Sequence, residues 1–558
     1  MFLDRLLFPM QHCEDAAAHL LLYLNVKFTR SNLQRELQEH PNYPSMLSIA
    51  DVIGSSYSVS SIPLTFTREE ILSEPEIQPP FMAHIRTEKS GDVFGVVSKF
   101  SADIVEMYNP DSRKKEKLSP EEFNKLYRGT ILIARGEENA SEREYEKNLK
   151  EERQRSAVYN TIAFAFPALA LIACVATVIS QPSAAAVSAV VFTLVALMGS
   201  VVTALLLWHE VDEYNPVVQQ ICQTSTKVNC SAILHSKASK IFGLSWSSLG
   251  FSYFMGMLLT LIMTGIQDPA ALTLLSWINV LAVPYIGFSV YYQWRVARQW
   301  CVLCLMVQGV LLLQFVTALA GGFHTLLPFQ QIPLQSYLTL AGAFMILTMA
   351  IQLLMPALEK AKEGRTKKTE IKRLKNNPKV FETLLAKQKS IVKPADSMGI
   401  TIGNPDGIYK LIKVCNPYCG PCAQVHPAME ALVENNGEIC LQVLFTASLD
   451  DKDLRKFPVS HFLAIDTLKN ETLTKRALDD WYNMPEKNYD IFAAKYPLNG
   501  ELQQQAEKIA VMQKWINATQ VTHTPTFFIC LDTADDEAKY HQLPEMYSVD
   551  DLKYFLSI

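Results

Sequence analysis

Charge is nearly absent from residues 158–208 and 247–355. Each stretch is far longer than the roughly 20 apolar residues that cross a bilayer, which excludes an ordinary soluble protein. A strong net charge is lacking too. The 51 basic and 56 acidic side chains leave −5 with both signs mixed, so there is no electrostatic footprint for nucleic acid. Cysteine is sparse: 11 in 558 residues cannot form a disulfide-stapled scaffold. No G-x4-G-K-[ST] pattern occurs, which removes a P-loop nucleotide site. The opening Met1-Phe2-Leu3-Asp4-Arg5 has neither the apolar run nor the small-residue cleavage site of a signal peptide. No metal is expected, because zinc at Cys419 and Cys422 needs about four ligands and only His426 is close in sequence.

What is present is a multi-pass membrane protein with soluble sequence on both flanks. Segments at 158–180, 186–208, 247–266, 271–293, 300–320 and 333–355 each suffice to span a bilayer. The turns between neighbours are short or uncharged, so adjacent spans are expected to be antiparallel, and six spans put both termini on one side. Trp208, Trp246, Tyr291, Tyr292, Trp294 and Trp300 collect near helix ends, as an interfacial aromatic belt does. Residues 1–135 are helical first (16–24, 31–40, 45–54) and strand-like afterwards (81–85, 93–97, 104–108, 131–134), the order of an α+β domain. Residues 136–157 are a charged linker helix, 158–185 an extra span and turn, 186–320 a redox core, and 321–355 a connecting span. Residues 356–395 are a basic tether, and 396–558 an α/β domain.

Six cysteines fall into three close pairs, and these carry the chemistry. Cys222 and Cys230 lie in a polar loop that solvent and partners can reach; Cys301 and Cys304 open a hydrophobic helix where the bilayer begins. Cys419-Gly420-Pro421-Cys422 lies between a strand and a helix. Disulfide exchange needs a thiolate with access to a disulfide sulfur, and three dithiols in series make a relay. At a helix N-terminus, orphan amides and the dipole favour a thiolate, which makes Cys419 the attacking and leaving sulfur and Cys422 the resolving one. From the residues alone, the alternative for Cys222 and Cys230 is a structural disulfide. Cys174, Cys440 and Cys530 read as small buried hydrophobes, and Cys415 as a core-facing strand end.

Three resemblances sharpen this. Residues 186–320 resemble the vitamin K epoxide reductase family and its bacterial homologues: a hydrophobic helix, Cys222-x7-Cys230, Ser231 and Ser236, Phe242-Gly243-Leu244, then Cys301-Val302-Leu303-Cys304 two helices later. The resemblance implies a four-helix core in which Cys222 receives electrons from a thioredoxin-like dithiol and Cys230 passes them to Cys301. Cys304 then faces a quinone, menaquinone or ubiquinone, with Ser236 as a hydrogen-bond donor or an ordinary helix cap. Gln308 stands where eukaryotic relatives carry Tyr, which leaves quinone affinity and epoxide reduction open. Residues 396–558 resemble thioredoxin-like proteins of the DsbA-like branch, through Cys419-Gly420-Pro421-Cys422, Pro427, Thr524-Pro525 and a helical insertion. In that family Pro525 would be cis and lie against the dithiol.

Residues 1–135 resemble the papain-like C39 peptidases that cut double-glycine leaders, through Gln11-His12-Cys13, Pro80-Phe81-Met82-Ala83-His84 and Tyr108-Asn109-Pro110-Asp111. A cysteine peptidase needs a His to ionise its nucleophile. The strand Asp92-Val93-Phe94-Gly95-Val96-Val97, where the family carries it, has none, and Glu14 replaces the Gly after Cys13. The expectation is a peptidase-dead domain that at most binds peptide.

These readings converge on a quinone-dependent thiol oxidoreductase of a bacterial inner membrane, oxidising secreted protein or peptide thiols. The competing readings are a leader-peptide processing or export accessory and a reductive or isomerase-like relay. The Gly-Pro dipeptide goes with a couple near about −270 mV rather than the roughly −120 mV of DsbA, so electrons leave it readily. Thiol oxidation belongs outside the cytoplasm, which puts both soluble domains in the periplasm. Charge points the other way: Arg143, Lys147, Lys150, Arg153 and Arg155 crowd that same side.

Overall fold

The strand-like runs near the N-terminus close into one antiparallel sheet in a computed structural model, which describes residues 7–73, 77–88, 90–137, 140–213, 215, 218–219, 222, 230–234, 239–241, 243–391, 398–498, 500–530 and 539–556. Helices α1 (His12–Tyr23), α2 (Arg30–Glu39) and α3 (Met46–Tyr57) come first. The strands are β1 (Val59–Thr65), β2 (Phe81–Thr87), β3 (Gly91–Phe100), β4 (Val105–Asn109), β5 (Lys114–Leu118) and β6 (Tyr127–Gly136), in the order β1-β6-β2-β3-β4-β5. β1 and β5 were not legible as strands because each shows little of the alternating burial that marks a half-buried strand. α1 starts at a capping box between Gln11 and Glu14 and buries Ala16, Ala17, Leu20 and Leu21.

Among the described residues, six helices are long and apolar enough to cross a membrane: α4 (Tyr145–Ser180), α5 (Ala184–Val211), α7 (Trp246–Thr264), α8 (Pro269–Tyr291, continued by a π-helical turn to Ala297), α9 (Val302–Ala320) and α10 (Leu334–Lys375). Short α6 (Cys230–Leu234) and the ribbon of β7 (Lys240–Ile241) and β8 (Leu244–Ser245) lie between α5 and α7. The starts follow local chemistry. Ser183, Ser245 and Asp268 each accept an amide of the first turn of α5, α7 and α8. The first span continues without interruption from the charged helix that starts at Tyr145, and the last span runs on into basic sequence as far as Lys375. Pro167 and Pro356 lie inside these helices, which absorb them. α5 is central, packed on α7 and α9, and Gly199 lets the Phe254 ring lie against its backbone.

The chain divides into two units, Met1–Glu36 with Tyr57–Thr369, and Leu37–Ser56 with Glu370–Ile558. In the second, α11 (Pro378–Ala386) docks Phe381 and Leu385 into the core, with Phe381 stacked on Phe555 at 3.9 Å. The sheet of β9 (Ser390–Ile391), β10 (Ile400–Gly403), β11 (Tyr409–Cys415), β12 (Ile439–Phe445), β13 (Thr526–Cys530) and β14 (Tyr540–Gln542) runs in the order β10-β12-β11-β13-β14-β9. β11 and β12 are parallel, joined by α12 (Gly420–Gln424) and α13 (His426–Glu434). α14 (Lys456–Asp466), α15 (Glu471–Asn483), α16 (Tyr489–Lys495) and α17 (Ala506–Ala518) fill the segment between β12 and β13. This is a thioredoxin fold with a helical insertion.

Candidate redox site

The membrane site is built where α8 hands over to α9. The π-helical turn Tyr292–Ala297 ends at Arg298, whose φ of 52° reverses the chain and returns it to Cys301. That turn buries Gln293, whose Oε1 accepts the Cys301 amide N–H at 2.9 Å and whose Nε2 donates to Ser289 Oγ at 3.2 Å. Gln308, one turn past Cys304, donates to the same Ser289 oxygen. Cys301 is the N-cap of α9, and its Sγ accepts the Cys304 N–H at 3.3 Å.

α6 lies against α9 and the π turn, which places Cys230 over this helix start. The Cys230 sulfur is in hydrogen-bond contact with Cys222 and Cys301 and takes the Leu303 N–H; Cys301 in turn contacts Cys304. All four thiols are buried, at 1, 1, 0 and 9% exposure for Cys222, Cys230, Cys301 and Cys304. The loop pair, expected to be open to solvent, is therefore enclosed in the same apolar cluster as the helix pair. Hydrogen bonds from Cys222 and Cys301 hold Cys230 below the ordinary thiol range, and the same contact raises Cys222, its donor. Ser236 lies outside the described residues.

Residues not singled out from the sequence complete the surroundings. His209, 1% exposed near the end of α5, meets Ser231 Oγ through Nε2 at 3.2 Å. Ser289 and Gln293 are polar groups inside an apolar helix, a signal that could have marked them in advance. Tyr285 hydrogen-bonds Ser289 and packs on Trp246 with ring centroids 4.5 Å apart.

In the C-terminal domain Cys419 is the half-buried N-cap of α12, and its thiol donates to Thr524 O at 3.3 Å. The following Thr524–Pro525 bond is cis. Cys422 is fully buried, and burial, reinforced by Cys415, pushes its pKa up to about 12. Cys415 lies at the end of β11 with its sulfur 3.1 Å from Tyr482 Oη, and burial raises it as well. Cys174 and Cys530 are buried, Cys440 half-buried. His426, Glu430 and Asp479 come together on α13 and α15, but Lys413 and Lys475 line the same cavity, which opposes a cation there.

Cys13 is buried in the first turn of α1. Beside it His12 pairs with Asp111 at 3.4 Å, and Asp15 accepts from Tyr108, which stacks on His19. His84, on β2, faces Asp92 at 3.9 Å.

Comparison with known proteins assigns two of these regions. Residues 190–319 match the vitamin K epoxide reductase family. Residues 14–139 match the peptidase C39 family, a match that begins one residue past Cys13. No curated protein matches the chain. Among solved structures, a thioredoxin-like oxidoreductase from Silicibacter pomeroyi is 16% identical, covering 27% of this chain and 91% of its own at a TM-score of 0.22. The thiol-disulfide exchange protein α-DsbA2 from Wolbachia pipientis is 12% identical, covering 26% and 81% at 0.21. A double-glycine motif protease from an AMS/PCAT transporter, in complex with its leader peptide, is 16% identical, covering 23% and 88% at 0.21. The chain thus combines a region that matches the vitamin K epoxide reductase family, a region that matches the peptidase C39 family and a C-terminal thioredoxin fold, along with helices long and apolar enough to cross a membrane.

Proposed function

We propose that the protein oxidises substrate dithiols and delivers the electrons to a membrane quinone. The observation that supports this most directly is the unbroken series of sulfur contacts from Cys222 through Cys230 and Cys301 to Cys304. Substrate thiols reduce the Cys419–Cys422 disulfide, and Cys419 is the accessible member of that pair. The resulting dithiol reduces Cys222–Cys230, an intramolecular step set by effective concentration rather than by diffusional encounter. Cys222 is buried beside Cys230, so exchange with Cys419 requires the loop to present its sulfur. Cys230 then attacks Cys301 and releases Cys304.

The residues around Cys304 suit a quinone headgroup. The end of the Gln308 amide turned away from Ser289 is buried and has no hydrogen-bond partner. That end is Oε1, and a buried orphaned acceptor is costly; turning the amide over lets Oε1 accept from the Ser289 hydroxyl and leaves Nε2 to donate to a ligand carbonyl. Gln308, Ser289 and Tyr285 would hold the quinone, which supplies a two-electron, two-proton acceptor when bound. Menaquinone and ubiquinone share this chemistry.

On this reading the host membrane is a bacterial inner membrane with both soluble domains in the periplasm and secreted proteins or peptides as the substrates, because thiol oxidation belongs outside the cytoplasm. The C39-family domain would act there as a peptide-binding module, since β3 carries no His. The test is anaerobic quinone reduction by the purified full chain supplied with a reduced dithiol peptide. Wild-type turnover with failure of both Cys304→Ala and Cys419→Ala carries the proposal. Turnover that survives either variant overturns it.

A further inference from the structure

Four thiols in series cannot exchange without moving protons, and the cluster is closed to water. When Cys222 and Cys230 reduce Cys301–Cys304, two S–H bonds are lost on one pair and two form on the other. With Cys301 tied up in the disulfide it has no S–H to give Cys230, so the support it lends the Cys230 thiolate in the reduced cluster is lost, and the proton leaving Cys230 needs a holder while Cys304 departs as a thiolate. Among the described residues around the cluster, His209 is the side chain with the chemistry to hold it. It is buried at the end of α5, and its Nε2 lies 3.2 Å from the hydroxyl of Ser231, the residue next to Cys230. It is also near enough to bias ionisation of the Cys230 thiol.

We infer that His209, oriented by Ser231, accepts the Cys230 proton as Cys230 attacks Cys301, and returns it to the Cys301–Cys304 pair. This rests on Cys230 being the donor to Cys301. In the first step the Cys230 S–H bond breaks, its proton moves to the imidazole, the Cys230–Cys301 bond forms and Cys304 leaves with the electron pair. In the second, Cys222 attacks Cys230, closing Cys222–Cys230 and releasing Cys301 as a thiolate. The imidazolium and the Cys222 proton then neutralise Cys301 and Cys304. Electrons and protons balance without a further reagent.

The surroundings contain few competitors. α6 presents Cys230 and Ser231, the preceding loop Cys222, and α9 Cys301 and Cys304. On its own helix, Glu210 accepts from Ser245 Oγ at 2.9 Å, and Asp212 pairs with Lys362 of α10 at 2.7 Å. The start of α7, Trp246 to Ser252, brings no ionisable side chain.

The test uses the full chain in detergent and two readouts in wild type, His209→Gln and Ser231→Ala. One is the rate of dithiol-driven quinone reduction against pH; the other is the pH at which thiolate ultraviolet absorbance appears. His209→Gln is expected to slow quinone reduction on the order of 10²-fold near neutral pH. The gap should close above about pH 8.5, where free thiols ionise unaided. Thiolate absorbance should appear at higher pH than in wild type, and Ser231→Ala should shift both readouts less, in the same direction. A wild-type rate profile and thiolate onset in His209→Gln overturn the inference. If that variant does not fold, an unchanged profile in Ser231→Ala overturns it. If the wild type reduces no quinone, the proposed function fails, and the thiolate onset alone decides the role of His209.

Discussion

Cys301 Sγ accepts the backbone N–H of Cys304 at 3.3 Å, so the sulfur that Cys230 reaches is also the N-cap of the helix carrying its partner. A cap acceptor satisfies one of the amides that the start of a helix leaves unpaired. The Cys301 amide is fixed from the other side by Gln293. Two roles thus share one atom, and substitution can separate them. Cys301→Ser and Cys301→Ala should both abolish transfer to quinone. Ser keeps an acceptor at the cap and Ala does not, so Ala should be less stable by about 1 kcal/mol. Denaturation of the two variants in the same detergent reads this directly; equal midpoints would remove the capping role.

The C-terminal dithiol should add to the pH dependence of stability in the reduced state alone. Burial raises the Cys422 pKa to about 12, against about 8.5 for a free thiol. Between those values the folded reduced domain holds a proton that the unfolded chain has lost, so ν_U − ν_N is negative and stability falls as pH rises. The contribution is complete below about pH 8.5 and is lost on the way to about pH 12. The disulfide form has no such proton, while Cys415 titrates in both. Denaturant unfolding of reduced and oxidised protein across this range should show the reduced form losing ground. Parallel curves would contradict the burial of Cys422 as the cause.

Much of this was legible before any coordinates. Cys222-x7-Cys230 and Cys301-x-x-Cys304 sit among hydrophobic spans whose length and lack of charge admit few alternatives. Cys419-Gly420-Pro421-Cys422 falls between a strand and a helix start, where its chemistry is constrained. What escaped depends on tertiary placement. The loop dithiol read as solvent-facing because its neighbours in sequence are polar, yet α6 folds Cys230 onto the apolar start of α9. His209 carries no signal in the sequence beyond its place next to Trp208 at a helix end, and only the contact with Ser231 marks it. Gln293 is invisible as a partner of Cys301 because a π-helical turn, which periodicity does not announce, sets their geometry.

The approach of α5 and α7 depends on the absence of a single side chain. A Cβ on Gly199 would fall on the Phe254 ring, a buried aromatic that cannot swing aside. Gly199→Val should therefore destabilise the bundle by about 1–3 kcal/mol through overpacking. Adding Phe254→Ala should recover part of that loss by making room. Thermal unfolding of the single and double variants in detergent is the measurement. A single variant as stable as wild type would mean the helices part at no cost, and the packing account would fail.

Gln308 separates quinone binding from thiol chemistry. Its Nε2 donates to Ser289 and its Oε1 has no hydrogen-bond partner among the described residues, while Cys304 lies one turn earlier on the same helix. Gln308→Leu keeps the volume and removes the hydrogen bond. If the amide turns over so that Nε2 donates to a quinone carbonyl, the loss is about 1 kcal/mol, which raises the KM for quinone about 5- to 10-fold. Transfer from the loop dithiol to Cys301–Cys304, followed in a single turnover without quinone, should keep its wild-type rate. A loss confined to KM places Gln308 at the quinone, and an equal loss in the single turnover makes it a support for Ser289 and the helix start. Unchanged kinetics in both would mean that the orphaned amide serves neither, and the quinone would have to be sought away from Cys304.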